Sequence, residues 1–270
     1  MRILMCGDVV GRSGRRVITE NLPHLRRRLE LDFVVINGEN AAGGFGITPA
    51  ICDQLFEAGA DVITTGNHVW DQKSIRPHFE TERRLLRPHN YPAMEPGSGV
   101  GIFRDRTGRR VLVMHFMALL FMPPLADPFA GVETVLADHR LGTTVDAIVL
   151  DFHGEATSEK MAMGHLLDGR VSAVVGTHSH VPTADTRIFG GGTAYQTDIG
   201  MCGDYDSVIG MRKQPAIERF RHGPSAARLE AARGEGTLCA VFVETDDETG
   251  LAVRAEPLRL GGHIAPQMPD

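Results

Sequence analysis

Residues able to hold metal ions recur in this sequence directly after short apolar runs. Asp8 follows Arg2-Ile3-Leu4-Met5-Cys6-Gly7, Glu39 and Asn40 follow a run ending at Ile36, and Asn67 and His68 follow one ending at Thr65. Farther on, Ala147 to Phe152 runs straight into His153, and Val171 to Gly176 leads into Thr177-His178-Ser179-His180. Carboxylate and amide oxygens with imidazole nitrogens, and no thiolate, suit Mn, Fe or Zn rather than a structural cysteine-zinc site. Glu39 can bridge two cations through its two oxygens, and Asn67 can add a neutral one. His178 and His180 are two residues apart, so in extended backbone both imidazoles would face one side.

Such residues act together only if the scaffold brings the runs side by side. Val- and Ile-rich segments alternate with helical patterns near 14–30 and 48–58, the second opening on Thr48-Pro49 as cap and first turn. That rhythm predicts βαβ units and a largely parallel sheet. In such sheets ligands bind where the carboxyl ends of the strands line up. Further strands are expected near 99–103, 110–115, 147–152, 171–176, 237–244 and 251–259, with helices near 131–140 and 158–168. Pro88 to Gly99 and Met122 to Gly131 read as loops, Gly190-Gly191-Gly192 as a turn, and residues from Gly261 as a loose tail. No repeat or linker divides the chain, so a single domain over 1–270 is expected.

Bulk composition narrows the class. With 42% hydrophobic and 23% charged residues, the chain can bury a core without disulfides. Cys6, Cys52, Cys202 and Cys239 are scattered and fit reduced, partly buried thiols. No apolar run approaches the roughly 20 residues that cross a bilayer, so no membrane partner and a cytoplasmic location are expected. A net charge of −6 argues against stable nucleic-acid binding. Arg26-Arg27-Arg28 reads as a solvated helix face.

Other features carry two readings. Gly7 to Gly14 has neither dinucleotide-binding nor P-loop spacing. Gly43-Gly44-Phe45-Gly46 is either a pocket lip, with Phe45 stacking on a base, or a surface turn. His115, His139 and His165 read as structural or surface groups. Asp185 and Asp198 either orient ligating histidines or serve as turn and cap residues.

The ordered set Asp8, Gly38-Glu39-Asn40, Gly66-Asn67-His68, His153-Gly154 and Gly176-Thr177-His178-Ser179-His180 resembles the calcineurin-like metallophosphoesterases. Val10 stands where that superfamily usually has a histidine, and Glu39 replaces an aspartate. With Asp151-Phe152-His153-Gly154-Glu155-Ala156-Thr157-Ser158-Glu159-Lys160 and Thr197-Asp198-Ile199-Gly200-Met201, these departures resemble the YmdB-type branch, which acts on 2′,3′-cyclic nucleotides. The resemblance implies an α/β sandwich of two packed β-sheets flanked by helices. It also implies two divalent or mixed-valence metal ions, Fe or Mn favoured and Zn tolerated. One would take Asp8, Glu39, Asn40 and His180; the other Glu39, Asn67, His153 and His178. His68 would then protonate the leaving group, with Asp71 or another carboxylate orienting it. The expected substrate is a small phosphodiester. A phosphomonoesterase and a nucleotide-binding regulator are the alternatives, and the sequence leaves a homo-oligomer open.

Overall fold

A computed structural model describes residues 1–270. The first apolar run forms β1 (Arg2–Cys6), followed by the two-residue β2 (Asp8–Val9) and helix α1 (Gly11–Arg28). Then come β3 (Phe33–Asn37), α2 (Pro49–Ala58), β4 (Val62–Thr64) and α3 (Ile75–Thr81). The middle of the chain gives β5 (Val100–Arg104), β6 (Arg110–Met117), α4 (Pro128–Asp138), β7 (Ala147–His153), α5 (Thr157–Leu166) and β8 (Ala173–Thr177). The remainder supplies β9 (Arg187–Ile188), β10 (Ala194–Gln196), β11 (Met201–Asp204), α6 (Lys213–His222), β12 (Gly236–Thr245) and β13 (Ala252–Leu260).

These strands make two sheets. The first runs β2-β11-β12-β1-β3-β4, with β13 paired to β12; the second runs β5-β6-β7-β8-β10-β9. Strands β1, β3 and β4 are mutually parallel, as are β6, β7, β8 and β10, so each set ends on one edge. Antiparallel β12 and β13 extend the first sheet, which is therefore mixed.

The two-residue period of a strand divides the apolar side chains between two faces. Ile3 and Met5 of β1 join Val35, Val62, Val113, Val149 and Val241 in a layer between the sheets. Leu4 and Cys6 turn the other way, onto Ile18, Leu22, Leu55 and Phe79 of the first three helices. Ile148, Leu150 and Phe152 likewise meet Val132 of α4 and Met163 of α5 outside the second sheet. The result is helices, sheet, sheet, helices: the sandwich expected from the resemblance.

Three expectations need correction. Arg26 is buried, not solvated: its guanidinium donates to the Gly59 and Asp32 carbonyls and pairs with Asp61 at 2.9 Å. Only Arg27 and Arg28 face water. The segment from Gly261 is not loose, since Gln267 exchanges two backbone hydrogen bonds with Arg259 and Met268 packs on the core. Helix α4 starts at Pro128, inside the stretch read as loop, with Asp127 capping the Phe129 amide.

Candidate metal centre

Each candidate residue sits at or just past the carboxyl end of a strand, and the two sheets meet there. Asp8 opens β2; Glu39 and Asn40 follow β3; Asn67 and His68 lie past β4; His153 ends β7; His178 and His180 follow β8. The Asp8 carboxylate of the first sheet accepts from the His178 amide of the second at 3.1 Å. Glu39 Oε2 lies 2.8 Å from His153 Nε2. Asp8, Glu39, Asn40, His153 and His180 are buried, while Asn67, His68 and His178 are partly open. The side chains crowd so closely that a Cβ on Gly66 would stand 2.4 Å from His153 Nε2 and 2.5 Å from Glu39 Oε1.

The hydrogen bonds around the edge fix which atoms face inward. Thr177 Oγ1 donates to Asp151 Oδ1 at 2.7 Å, so it accepts the Nδ1–H of His153 at 2.9 Å. That leaves the Nε2 lone pair of His153 turned inward. The His178 Nε2–H faces Glu155 Oε2 at 3.2 Å, which turns Nδ1 inward to 3.2 Å from His153 Nε2. Asn67 Oδ1 lies 3.1 Å from the same nitrogen. On the other side, His180 gives its Nδ1–H to the Ile209 carbonyl, and Asn40 gives its amide N–H to the Gly44 carbonyl. Their remaining acceptors, Nε2 and Oδ1, then meet at 3.2 Å.

Lone pairs facing lone pairs at about 3 Å repel unless a positive charge stands between them. Asp8 Oδ1 and Glu39 Oε2 are also buried without an aligned hydrogen-bond donor, an expensive state for a carboxylate. Glu39, His153 and His178 offer ligand atoms within 4.8 Å of one another. The donor set therefore fits divalent cations, with His153, His178, Asn67 and Glu39 on one side and His180, Asn40 and Asp8 on the other.

The local pKa pattern has the same origin. Burial pushes Asp8 up to about 7, and the charges of Asp198 and Glu39 add to it against His180 and His153. Burial acts the same way on Glu39, but His153 and the His68 amide overcome it and bring it down to about 2. His153 reaches about 9 despite its burial because Glu39 and Asp8 face it. His178 falls to about 3 through burial and the charge of His153.

His68 stands apart from the inward acceptors. Its amide donates to Glu39 Oε1 at 2.7 Å, its Nδ1 meets Asp71 Oδ2 at 2.8 Å, and Phe45 packs edge-on against its ring at 5.1 Å. Asp71 is thus its carboxylate partner, and Phe45 belongs to the rim.

The histidine pair does not lie in extended backbone. His178 and His180 both have positive φ, 97° and 66°, a region costly for side chains with a Cβ. Asp198 holds that turn by accepting from the Ser179 amide at 3.0 Å, and buried Lys160 ties Asp198 to the Thr177 carbonyl. Asp198 therefore shapes backbone rather than orienting an imidazole. Asp185 accepts from Thr183 and Thr197 and touches none of the candidate histidines. Sequence reading missed Thr177, Asp151 and Glu155 as partners of the imidazoles. The signal was present for Asp151, two residues before His153 and therefore on the same face of β7.

Two helix-flanked sheets with acceptors gathered on their common edge define a metallophosphoesterase fold, a class whose members use divalent metal ions. More closely, the chain belongs to the YmdB-like protein family, whose sequence model matches residues 4–258. A Bacillus subtilis (strain 168) protein named 2′,3′-cyclic-nucleotide 2′-phosphodiesterase is 45% identical over 256 residues, 95% of this chain and 96% of that protein. The crystal structure of a hypothetical protein from Thermus thermophilus superposes with a TM-score of 0.90 at 40% identity, covering 97% of this chain and 100% of that one. A structure described as a novel phosphatase from Mycoplasma pneumoniae gives 0.89 at 32% identity, covering 97% and 93%.

Proposed function

We propose that this protein hydrolyses 2′,3′-cyclic nucleotides, with Asp8, Glu39, Asn40 and His180 holding one metal ion and Glu39, Asn67, His153 and His178 the other. The observation that carries the reading is the inward set of lone pairs, each fixed by a hydrogen bond on the far side of its residue. The name of the Bacillus subtilis relative, at 45% identity over nearly the whole chain, supports the substrate. Fe or Mn suits the nitrogen and oxygen donors, and Zn is tolerated. When bound, such ions supply Lewis acidity and a water nucleophile at neutral pH.

The chain's own residues supply the rest. Glu39 is held by the His68 amide and its partner Asn37, which accepts from the Glu39 amide at 3.0 Å. His68, braced by Asp71 through Nδ1, presents Nε2 to the ribose oxygen that leaves phosphorus. Proton donation there releases one ring oxygen as a hydroxyl while the phosphate stays on the other. A single donor on one side selects one of the two oxygens, and loss at O2′ gives the 3′-monophosphate.

Incubation with 2′,3′-cyclic AMP, followed by chromatography against authentic 2′-AMP and 3′-AMP, tests this. The expected outcome is 3′-AMP alone, formed with Mn or Fe and lost on chelation. His68→Ala should keep its metal content but lose about 10²–10⁴-fold in turnover, less with nitrophenyl leaving groups that need no proton. An equal mixture of isomers contradicts the single-donor geometry. Brisk cleavage of monoesters without cleavage of the cyclic diester would make the protein a phosphomonoesterase; the Mycoplasma pneumoniae structure is described as a phosphatase.

A further inference from the structure

The segment from Asn40 to Phe45 is a wall with two sides. On one side Asn40 faces His180. On the other lies an open cavity of about 760 Å³, bordered by the start of α1, by Arg219 of α6 and by the segment 228–233. Five arginines line it: Arg12, Arg15, Arg219, Arg228 and Arg233. Its one carboxylate, Glu230, is already paired with Arg212 at 2.9 Å, and none of the five has a carboxylate partner. Burial and then the like charge of Arg12 hold Arg15 below its ordinary value. On a chain of net charge −6, this is a local excess of guanidinium groups with planar forks suited to phosphoryl oxygens.

The cavity and the metal centre share this wall directly. The Gly11 amide donates to the Asn40 carbonyl at 2.9 Å, and Arg15 Nη1 donates to the Ala41 carbonyl at 2.6 Å. Phe45 lines the cavity and also packs on His68. Gln72, a further lining residue, clamps Phe45 by donating to its carbonyl at 2.8 Å. A ribose whose 2′,3′ edge sits at the acceptor cluster must direct its 5′-oxygen away from that edge. A second anion site for the same nucleotide must adjoin the first, and the cavity reaches it at the rim, where Phe45 lines the one and packs on His68 of the other.

We propose that the arginine-lined cavity binds a phosphoryl group on the 5′-oxygen of the cyclic-phosphate nucleotide. The preferred substrate is then a nucleotide phosphorylated at both ends of its ribose, as at the cyclic-phosphate terminus of an RNA chain, rather than the free nucleoside cyclic phosphate. This rests on the activity proposed above. The overall negative charge opposes a long polyanion, so the gain should saturate with the first 5′ phosphate. The body of an RNA is not bound; its end is.

The test compares kcat/KM for 2′,3′-cyclic AMP, for 5′-phosphoadenosine 2′,3′-cyclic phosphate, and for ApA and a pentamer of A that each end in a 2′,3′-cyclic phosphate. A 5′ phosphoryl group held by arginine should raise kcat/KM by about tenfold or more at low salt. Equal gains for the monoester and ApA assign the site to a terminal phosphate, and a gain for ApA alone assigns it to the RNA diester. The double substitution Arg12→Gln/Arg228→Gln, at two exposed positions, should bring the ratio toward one, and 0.5 M salt should do the same. Equal kcat/KM for all four substrates in the wild type, or a ratio untouched by the double substitution, overturns the inference and leaves the cyclic phosphodiesterase reading standing. A pentamer gaining far beyond ApA would also overturn it, by pointing to an extended RNA track. No cleavage of any cyclic substrate would instead defeat the underlying activity.

Discussion

At the scale of single residues, the centre depends on the hydrogen bond behind each inward-facing atom. Asp151 is the deepest example. Its carboxylate lies on the face of β7 turned to the space between the sheets, where an unpaired charge would be costly. Asn37, Thr64 and Thr177 all donate to it, at 3.0, 2.6 and 2.7 Å. Thr177 passes this arrangement on to His153 Nδ1, so a buried carboxylate sets an imidazole tautomer through one hydroxyl. Thr177→Val keeps the shape of the side chain and removes the relay. Metal affinity should fall about 10–100-fold, the usual consequence of losing a ligand's hydrogen-bond partner. Titration of the apoprotein with Mn, read by calorimetry, checks this without any assay of turnover. Unchanged affinity would mean that packing alone orients His153.

At the scale of elements, the same logic explains the turn after β8. Two histidines with positive φ carry strain that the surroundings must offset. The buried Lys160–Asp198 pair, at 2.8 Å, does so by joining α5 to the turn. Lys160→Met leaves Asp198 charged and buried without its cation and should destabilise the protein by about 3–5 kcal/mol. Urea unfolding with an unchanged slope would measure it; a loss below about 1 kcal/mol would show that the backbone amides of Ser179 and Gly200 suffice. The strand-end placement of the candidate residues was legible in the sequence because a polar residue after an apolar run is conspicuous. The turn geometry was not, since His178-Ser179-His180 reads equally well as extended chain. Helix α6 was missed because it buries only Ala216 and so shows no apolar stripe. Helix α3 is seven residues long with two buried side chains, Ile75 and Phe79, too few to register as a period.

At the scale of the whole molecule, the alternation of short apolar runs with helical stretches is enough to foretell a layered α/β fold, whereas the pairing of β1 with β12 is not. That contact joins residues such as Arg2 and Glu244 from opposite ends of the chain, and no local pattern announces it. Arg26 was misread for a similar reason, because its partner Asp61 lies on the far side of β3 in sequence. The cysteines offer a test of this closure. All four are free and fully buried, where partial burial was expected: Cys6 in β1, Cys202 in β11, Cys239 in β12 and Cys52 on α2. Burial pushes Cys52 and Cys239 up to about 12, and raises Cys6 and Cys202 as well. Since the thiolate is the reactive form, none should react with a disulfide reagent at about pH 8 in the native protein, and all four should react in denaturant. Cys6, Cys202 and Cys239 occupy adjoining strands of the first sheet, so they should become reactive together, at the rate of global unfolding. Cys52 reports separately on whether α2 detaches first, and rapid labelling of any sheet cysteine under native conditions would contradict the β1–β12 closure.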